Sequence, residues 1–406
     1  MKLKLKHLRH PLRAAAAAKT QLAARWTMYA CAKLGKRRFR DDARYDLRNI
    51  TDGFAPRPQT DCDDRALLER ICAAYIKAMQ QEPLASPTYR ATGWWEQVRR
   101  ENLKPVVQAL YNRDFAALES MYANFFRDPC SAGLIGVPWK GTLHGNNSSK
   151  IYRRFYLSDV LHRVEYWKQQ TEGRFPLGDL DGPPVGNPFG ALIEETLLRN
   201  GSEYHHYCAH RVIDLLATRS TSGRASVVEI GGGFGDMAWY LLRDLPNLTY
   251  INFDVPESIA LASYYLLKSF PNLRFLLYGE NELTKDAIAG ADIVLMPAFE
   301  LAVMPATSAD FTFCSHVMSD ISFAAMAEYL GNISRITRDG FLFVGSSRAA
   351  DSISALQGRG NSLFMPAEKR SSNWHGHRAS KWDEVECLLR TARIGKLERQ
   401  TELVET

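Results

Sequence analysis

Val227-Val228-Glu229-Ile230-Gly231-Gly232-Gly233-Phe234-Gly235-Asp236-Met237 carries an apolar strand into an acid, then into three alternate glycines ahead of an amphipathic segment. Glycine at 231, 233 and 235 lets the backbone bend sharply and approach a ligand, because a Cβ would clash or forbid positive φ. The stretch reads as strand, nucleotide-binding turn and helix, and it points to an α/β fold with a small cofactor. A dinucleotide fingerprint, G-x-G-x-x-G, would need its third glycine at 236, where the chain has Asp236. The Lys-Ser/Thr ending of a triphosphate-binding loop is also absent. A glycine-rich connection with no ligand is the competing reading.

The next apolar run strengthens the cofactor reading. Leu248-Thr249-Tyr250-Ile251-Asn252-Phe253-Asp254 is a β-branched and aromatic strand ending in an acid 19 residues beyond Gly235. An acid at the end of the second strand of such a fold is placed to accept hydrogen bonds from both ribose hydroxyls. Asp254 also precedes Pro256 and a helical run, so a helix-capping role competes.

From 225 onward strands and helices alternate, as in a mostly parallel sheet covered on both faces. Candidate strands are 226–230, 249–253, 274–277, 292–296, 310–314 and 340–345, with 274–278 and 292–296 competing for the third position. After 350 the pattern weakens, and Trp374, His375, His377 and Trp382 fall in closing strands or a lid. Residues 41–200 read as a mainly helical accessory domain, with apolar residues at three- and four-residue spacing in 63–81, 94–112 and 114–126. A Gly-rich loop covers 131–147, an aromatic helix 150–170, and a Gly/Pro linker 173–190. The cofactor-binding domain is expected over 201–406, beginning with a helix from about Ser202 to Thr218.

Residues 1–40 hold twelve Lys or Arg and no acid, leaving 39 bases against 45 acids in the rest of the chain. This basic leader reads as a solvated, partly ordered tail or a membrane-surface segment, worth up to about 1 kcal/mol per base near anionic lipid. A nucleic-acid partner is not expected, because the acidic body offers no second basic face to follow a phosphate backbone. No apolar run is long enough for a spanning helix or a signal-peptide core, so a cytoplasmic location is expected, with contact at the inner membrane face through the leader. The seven cysteines are scattered and lack C-x-x-C spacing, which favours reduced thiols over a structural zinc site.

Glu229-x-Gly231-x-Gly233-x-Gly235 resembles motif I of class I S-adenosylmethionine-dependent methyltransferases. Together with Phe253-Asp254-Val255-Pro256-Glu257, Ala262-Ser263-Tyr264-Tyr265-Leu266 and Val185-Gly186-Asn187-Pro188, it resembles the sugar O-methyltransferase family of that class. The likeness spans about residues 150–350. It also takes in Tyr204-His205-His206-Tyr207 and Ser315-His316-Val317-Met318-Ser319-Asp320, where the related sequences read closer to Asn-Thr-x-Ser-x-x-Glu-Met. The resemblance implies a Rossmann-like methyltransferase sheet with a helical accessory domain, S-adenosyl-L-methionine as cofactor, and a sugar or glycan acceptor. Glu229, Gly231, Gly233, Gly235 and Asp254 are then the cofactor-binding set.

The remaining candidates follow from placement. His316 follows the expected fourth strand, beside the first, at the end that faces the crevice. A sugar hydroxyl is a weak nucleophile, so methyl transfer gains from a base, and His316 has a suitable unperturbed pKa. Asp320, one turn later, could orient the imidazole or act as base itself; packing for His316 and helix capping for Asp320 are the alternatives. Phe299 and Glu300 follow a strand and are candidates to approach the adenine. Asn187, His206, Tyr207 and Arg348 are candidate acceptor contacts. His206 and His210 share a helix face at metal-ligand spacing, yet no third ligand is evident, so no metal is expected. Methylation of a hydroxyl or amine on another small molecule, and a non-catalytic interaction protein, are the competing functions.

Overall fold

The structure is a computed structural model that describes residues 11–57, 64–134, 149–218, 223–357, 364–374 and 383–391. The expected α/β architecture is present. A two-stranded antiparallel hairpin, β1 (Gly190–Ile193) and β2 (Thr196–Arg199), precedes an eight-stranded sheet. The sheet contains β3 (Ala225–Ile230), β4 (Leu248–Asp254), β5 (Phe275–Leu277), β6 (Ile293–Pro297), β7 (Ala309–Ser315), β8 (Thr337–Ser346), β9 (Phe364–Ser372) and β10 (Glu384–Thr391). Their order is β5-β6-β4-β3-β7-β8-β10-β9, with β10 inserted antiparallel between β8 and β9. This is the Rossmann-like sheet that the resemblance implies, with one added edge strand, β5. The competition for the third position is thereby resolved: β6 pairs with β4, and β5 pairs only with β6.

Every residue of β3 is buried, as are the first six of β4, which explains their unbroken apolar runs. Val227 and Tyr250 face one core, Val228 and Ile251 the other. The first core continues into the N-terminal helices through Leu68, Leu110, Phe125 and Trp167, so residues on both sides of position 200 share one apolar interior. Asp64, ahead of the helix Arg65–Gln81, fixes that region to the helix Pro256–Ser269, accepting from Lys268 Nζ at 2.6 Å and Tyr264 Oη at 3.0 Å.

One reading of the sequence is refined and one is corrected. The described part of the leader forms a helix over Pro11–Arg38, and its C-terminal part packs on the helix Lys150–Gln170. Contact is close because Gly35 has no side chain: a Cβ there would lie 1.9 Å from Ser158 Oγ. The stretch from 173 contains, beyond irregular backbone, a 3-10 turn Leu177–Leu180 and leads into the β1–β2 hairpin, whose central Glu194 and Glu195 both have positive φ. The closing strands expected after 350 are β9 and β10, and Trp374 is buried against Tyr166, Tyr204 and Tyr207. His375, His377, Trp382, most of the 131–147 loop and residues 1–10 lie outside the described residues. Among the described residues no helix is long and apolar enough to cross a membrane, and Cys31, Cys72, Cys130, Cys208, Cys314 and Cys387 form no disulfide.

Candidate active site

The carboxyl ends of β3, β4 and β7 converge where the connections leave in opposite directions, the position at which open α/β sheets bind ligands. Gly231, Gly233 and Gly235 have φ of +76°, +57° and +95°. A Cβ on Gly231 would meet Val317 Cγ2 at 2.1 Å, whereas one on Gly233 would have no atom within 4 Å. Space therefore opens above Gly233 while Gly231 is packed against the segment after β7. The end of β4 holds the turn: Gly232 N donates to Asn252 Oδ1 at 3.1 Å, and Gly233 N to Asp254 Oδ2 at 2.9 Å. Val255 N donates to Asp254 Oδ1 at 2.7 Å.

This arrangement frames a cavity of about 490 Å³, within the range of small-ligand sites, whose wall includes Glu229, Gly231, Gly233, Asp254, Ser258 and His205. Its charge is acidic. Glu229 accepts from Tyr250 Oη at 2.5 Å, and burial pushes its carboxyl up to about 7. Burial likewise raises Asp254 to about 7. Neither acid has an ion-pair partner among the described residues, so a positively charged or hydroxyl-donating ligand would satisfy both. Ser258 Oγ, fully buried on the same wall, has no hydrogen-bond partner among the described residues. These are the features that a sulfonium- and ammonium-bearing nucleoside would complete.

Beneath the turn lies a buried ion cluster. Asp236 pairs with Arg199 at 2.8 Å and with His205 Nδ1 at 2.9 Å, and Tyr265 Oη donates to it at 3.2 Å. Burial alone would raise the Asp236 carboxyl, but Arg199 and His205 hold it below the usual range. Arg199→Met is expected to destabilise the fold by about 3–5 kcal/mol by stranding the Asp236 charge. A urea denaturation midpoint equal to that of the parent would contradict this.

At the end of β7 the chain enters the left-handed region at His316, φ +62°. Histidine tolerates that region better than most residues, and such positions concentrate at functional sites. The backbone is pinned there: His316 N donates to Val344 O at 2.8 Å, and Ser319 N donates to His316 O at 2.7 Å. The imidazole is partly exposed, and its Nε2 lies 3.9 Å from Glu384 Oε2 on β10. Glu384 itself accepts from Ser372 Oγ. On the far side of His316 is a second, larger cleft of about 1200 Å³, with Arg348, Lys369, Asp351, Ser346, Ser371 and Asn373 in its wall. His316, Asp320 and Ile321 belong to the walls of both cavities.

The structure thus brings Glu229, Gly231, Gly233, Asp254, His316 and Asp320 to one cavity, and Arg348 to the adjoining cleft. Gly235 is the residue before the helix Asp236–Asp244 and faces Leu266 instead of the cavity. The carboxylate recorded within 4 Å of the imidazole is that of Glu384, where the sequence pointed to Asp320. Four further expectations are corrected. Phe299 and Glu300 lie outside the cavity wall, where Ala298 stands instead; Phe299 packs edge-on to Tyr278 at 5.5 Å. Asn187 is a buried tie, accepting from Arg57 N at 3.0 Å and donating to Asn124 Oδ1 at 2.8 Å. His206 is fully buried among Trp167, Phe175 and Tyr240, and burial lowers its pKa to about 3. Tyr207 donates to buried Glu386 at 2.8 Å and accepts from Arg370 at 2.5 Å, away from both cavities.

Asp244 joins His206 and His210 as the third potential ligand that the sequence did not reveal. Trp167 Nε1 donates to His206 Nδ1 at 3.2 Å, and an indole N–H can only donate. Nδ1 is therefore the acceptor nitrogen and Nε2 carries the proton, which leaves it no lone pair for an ion. His210 Nε2 and Asp244 are directly hydrogen-bonded at 2.9 Å. The sequence reading also missed Glu384 and Ser258.

Comparison with known proteins finds a match over part of the chain. Residues 197–299 match the O-methyltransferase domain family. That family uses S-adenosylmethionine, and the matched span of the O-methyltransferase domain contains the glycine turn, Asp254 and Ala298. His316 lies beyond it. Solved structures similar to the chain include the pyocyanin biosynthetic protein PhzM, at 15% identity and TM-score 0.30, covering 47% of this chain and 56% of that one. A TehB-like SAM-dependent methyltransferase from Corynebacterium glutamicum aligns at 12% identity and TM-score 0.31, over 57% and 97% of the two chains. Magnesium protoporphyrin IX methyltransferase from Synechocystis, with S-adenosylmethionine bound, aligns at 11% and 0.33, over 57% and 97%. The chain spans little more than half the length of the pyocyanin protein. No curated protein matches it in sequence.

Proposed function

We propose that this chain transfers the methyl group of S-adenosylmethionine to a hydroxyl of a sugar, in a bacterial surface glycan or its precursor. The observation that carries the reading is the shared wall of His316, Asp320 and Ile321, which sets the acidic cofactor cavity against a polar cleft. The bound cofactor would supply an electrophilic methyl on a positive sulfur. Asp254 would hold the ribose hydroxyls, and Glu229 would lower the energy of nearby positive charge. In the cleft, Ser346, Ser371, Asn373 and Arg348 offer donors and acceptors to a hydroxyl-rich acceptor. The His316 imidazole, oriented by Glu384, takes the hydroxyl proton as the new bond forms.

A second reading has its own support. Trp94, Trp95 and Leu134 also line the cofactor cavity and would suit a flat, apolar acceptor. Purified protein given methyl-labelled cofactor and two acceptor panels, nucleotide sugars with oligosaccharides and phenols with other small hydroxylated molecules, separates the two. Transfer to a sugar is expected. Labelling confined to the second panel would replace the sugar reading, and binding without turnover on either would favour a non-catalytic interaction protein.

A further inference from the structure

Among its described side chains, the helix Pro11–Arg38 holds the fold through one flank. Ala32 and Phe39 are buried, Gly35 meets Ser158, and Arg38 pairs with Glu165 at 2.8 Å. On the flank turned to solvent, Leu22, Trp26 and Tyr29 are 66%, 74% and 53% exposed. Lys33, Lys36 and Arg37 follow, all exposed. At about 100° per residue these six positions fall within an arc of about 100°. None of the three bases has an ion-pair partner among the described residues. No acid occurs in residues 1–40, which hold twelve bases, while the rest of the chain has more acids than bases.

We propose that this face seats the protein on an anionic lipid bilayer. Trp26, Leu22 and Tyr29 enter the boundary between headgroups and acyl chains, where amphipathic rings are favoured. Lys33, Lys36 and Arg37 meet lipid phosphates. Charge complementarity selects this occupant: a strip of bases interleaved with large apolar side chains matches a surface that is negative outside and apolar just beneath. A nucleic acid would leave Leu22 and Trp26 uncovered and would face an acidic body. The helix lies on the bilayer and does not cross it. The inference rests on neither the cofactor nor the acceptor.

The test is co-sedimentation of the full chain with phosphatidylcholine vesicles, with and without phosphatidylglycerol. Binding is expected only with the anionic lipid, and raised salt should weaken it. Two triple variants, Leu22→Ser/Trp26→Ser/Tyr29→Ser and Lys33→Glu/Lys36→Glu/Arg37→Glu, should each lower partitioning at least about tenfold. Their melting temperatures should stay at the parent value, because all six side chains face solvent. Partitioning unchanged in both variants, no sedimentation with either vesicle, or retention on duplex DNA without vesicle binding would overturn the proposal.

Discussion

Replacing His316 by alanine is expected to slow methyl transfer about 10²–10⁴-fold, the usual contribution of a positioned general base. Cofactor affinity should stay within about twofold, because the acids expected to hold the cofactor, Glu229 and Asp254, belong to other strand ends. Added imidazole should restore part of the rate, a result that a purely structural histidine would not give. Glu384→Gln separates orientation from chemistry. Its carboxylate stands 3.9 Å from Nε2 and approaches on β10, the partner strand of β8. The variant should lose about tenfold in kcat with KM for the acceptor unchanged. Full activity in His316→Ala would remove this residue from the mechanism.

The parts of this site that the sequence made legible are those fixed by local backbone chemistry. The glycine turn and Asp254 were legible because each is set by its own strand end, and β3, β4, β7 and β8 because burial on both faces leaves continuous apolar runs. The choice between β5 and β6 was not legible, since both Phe275–Leu277 and Ile293–Pro297 are short apolar runs and their order in the sheet is set by long-range pairing. The β1–β2 hairpin was hidden because Glu194 and Glu195 occupy left-handed positions where Asn-Gly would announce a turn. His206 and Tyr207 were misplaced for a different reason. The helix Ser202–Ala217 is covered on several sides: Tyr204, His205 and Cys208 face the cavity, His206 and His210 face Trp167 and Phe175, and Tyr207 reaches Glu386. With no exposed stripe to set its phase, adjacent aromatic and imidazole positions cannot be sorted by spacing. Glu384 reaches His316 only because β10 inserts between β8 and β9, a long-range pairing with no local signature.

Asp254→Ala is expected to weaken cofactor binding at least about a hundredfold, through two charge-assisted hydrogen bonds lost with the carboxylate. That carboxylate also holds Gly233 N and Val255 N, so the loss could come from the ribose or from the turn. Wild-type protein should prefer S-adenosylhomocysteine over its 2′,3′-dideoxy analogue, measured by calorimetry, and Asp254→Ala should lose that preference. A preference that survives would assign Asp254 to the turn alone. The pH dependence gives a second line. Glu229 rises from 4.5 to about 7 and Asp254 from 3.8 to about 7 in the ligand-free fold. Between about pH 4 and 7 the unfolded carboxyls release protons that the folded ones retain, so stability falls as pH rises through that window and levels off above it. For Glu229 the loss is about 3 kcal/mol, and Glu229→Gln should flatten the slope between pH 5 and 8 in denaturation experiments. A cationic cofactor binds the ionised acids, so its affinity should run the opposite way and be weaker at pH 6 than at pH 8. The acids that cost the empty fold stability near neutrality are thus the ones that reward the bound state, and an affinity independent of pH across that range would show that they do not face the positive charge.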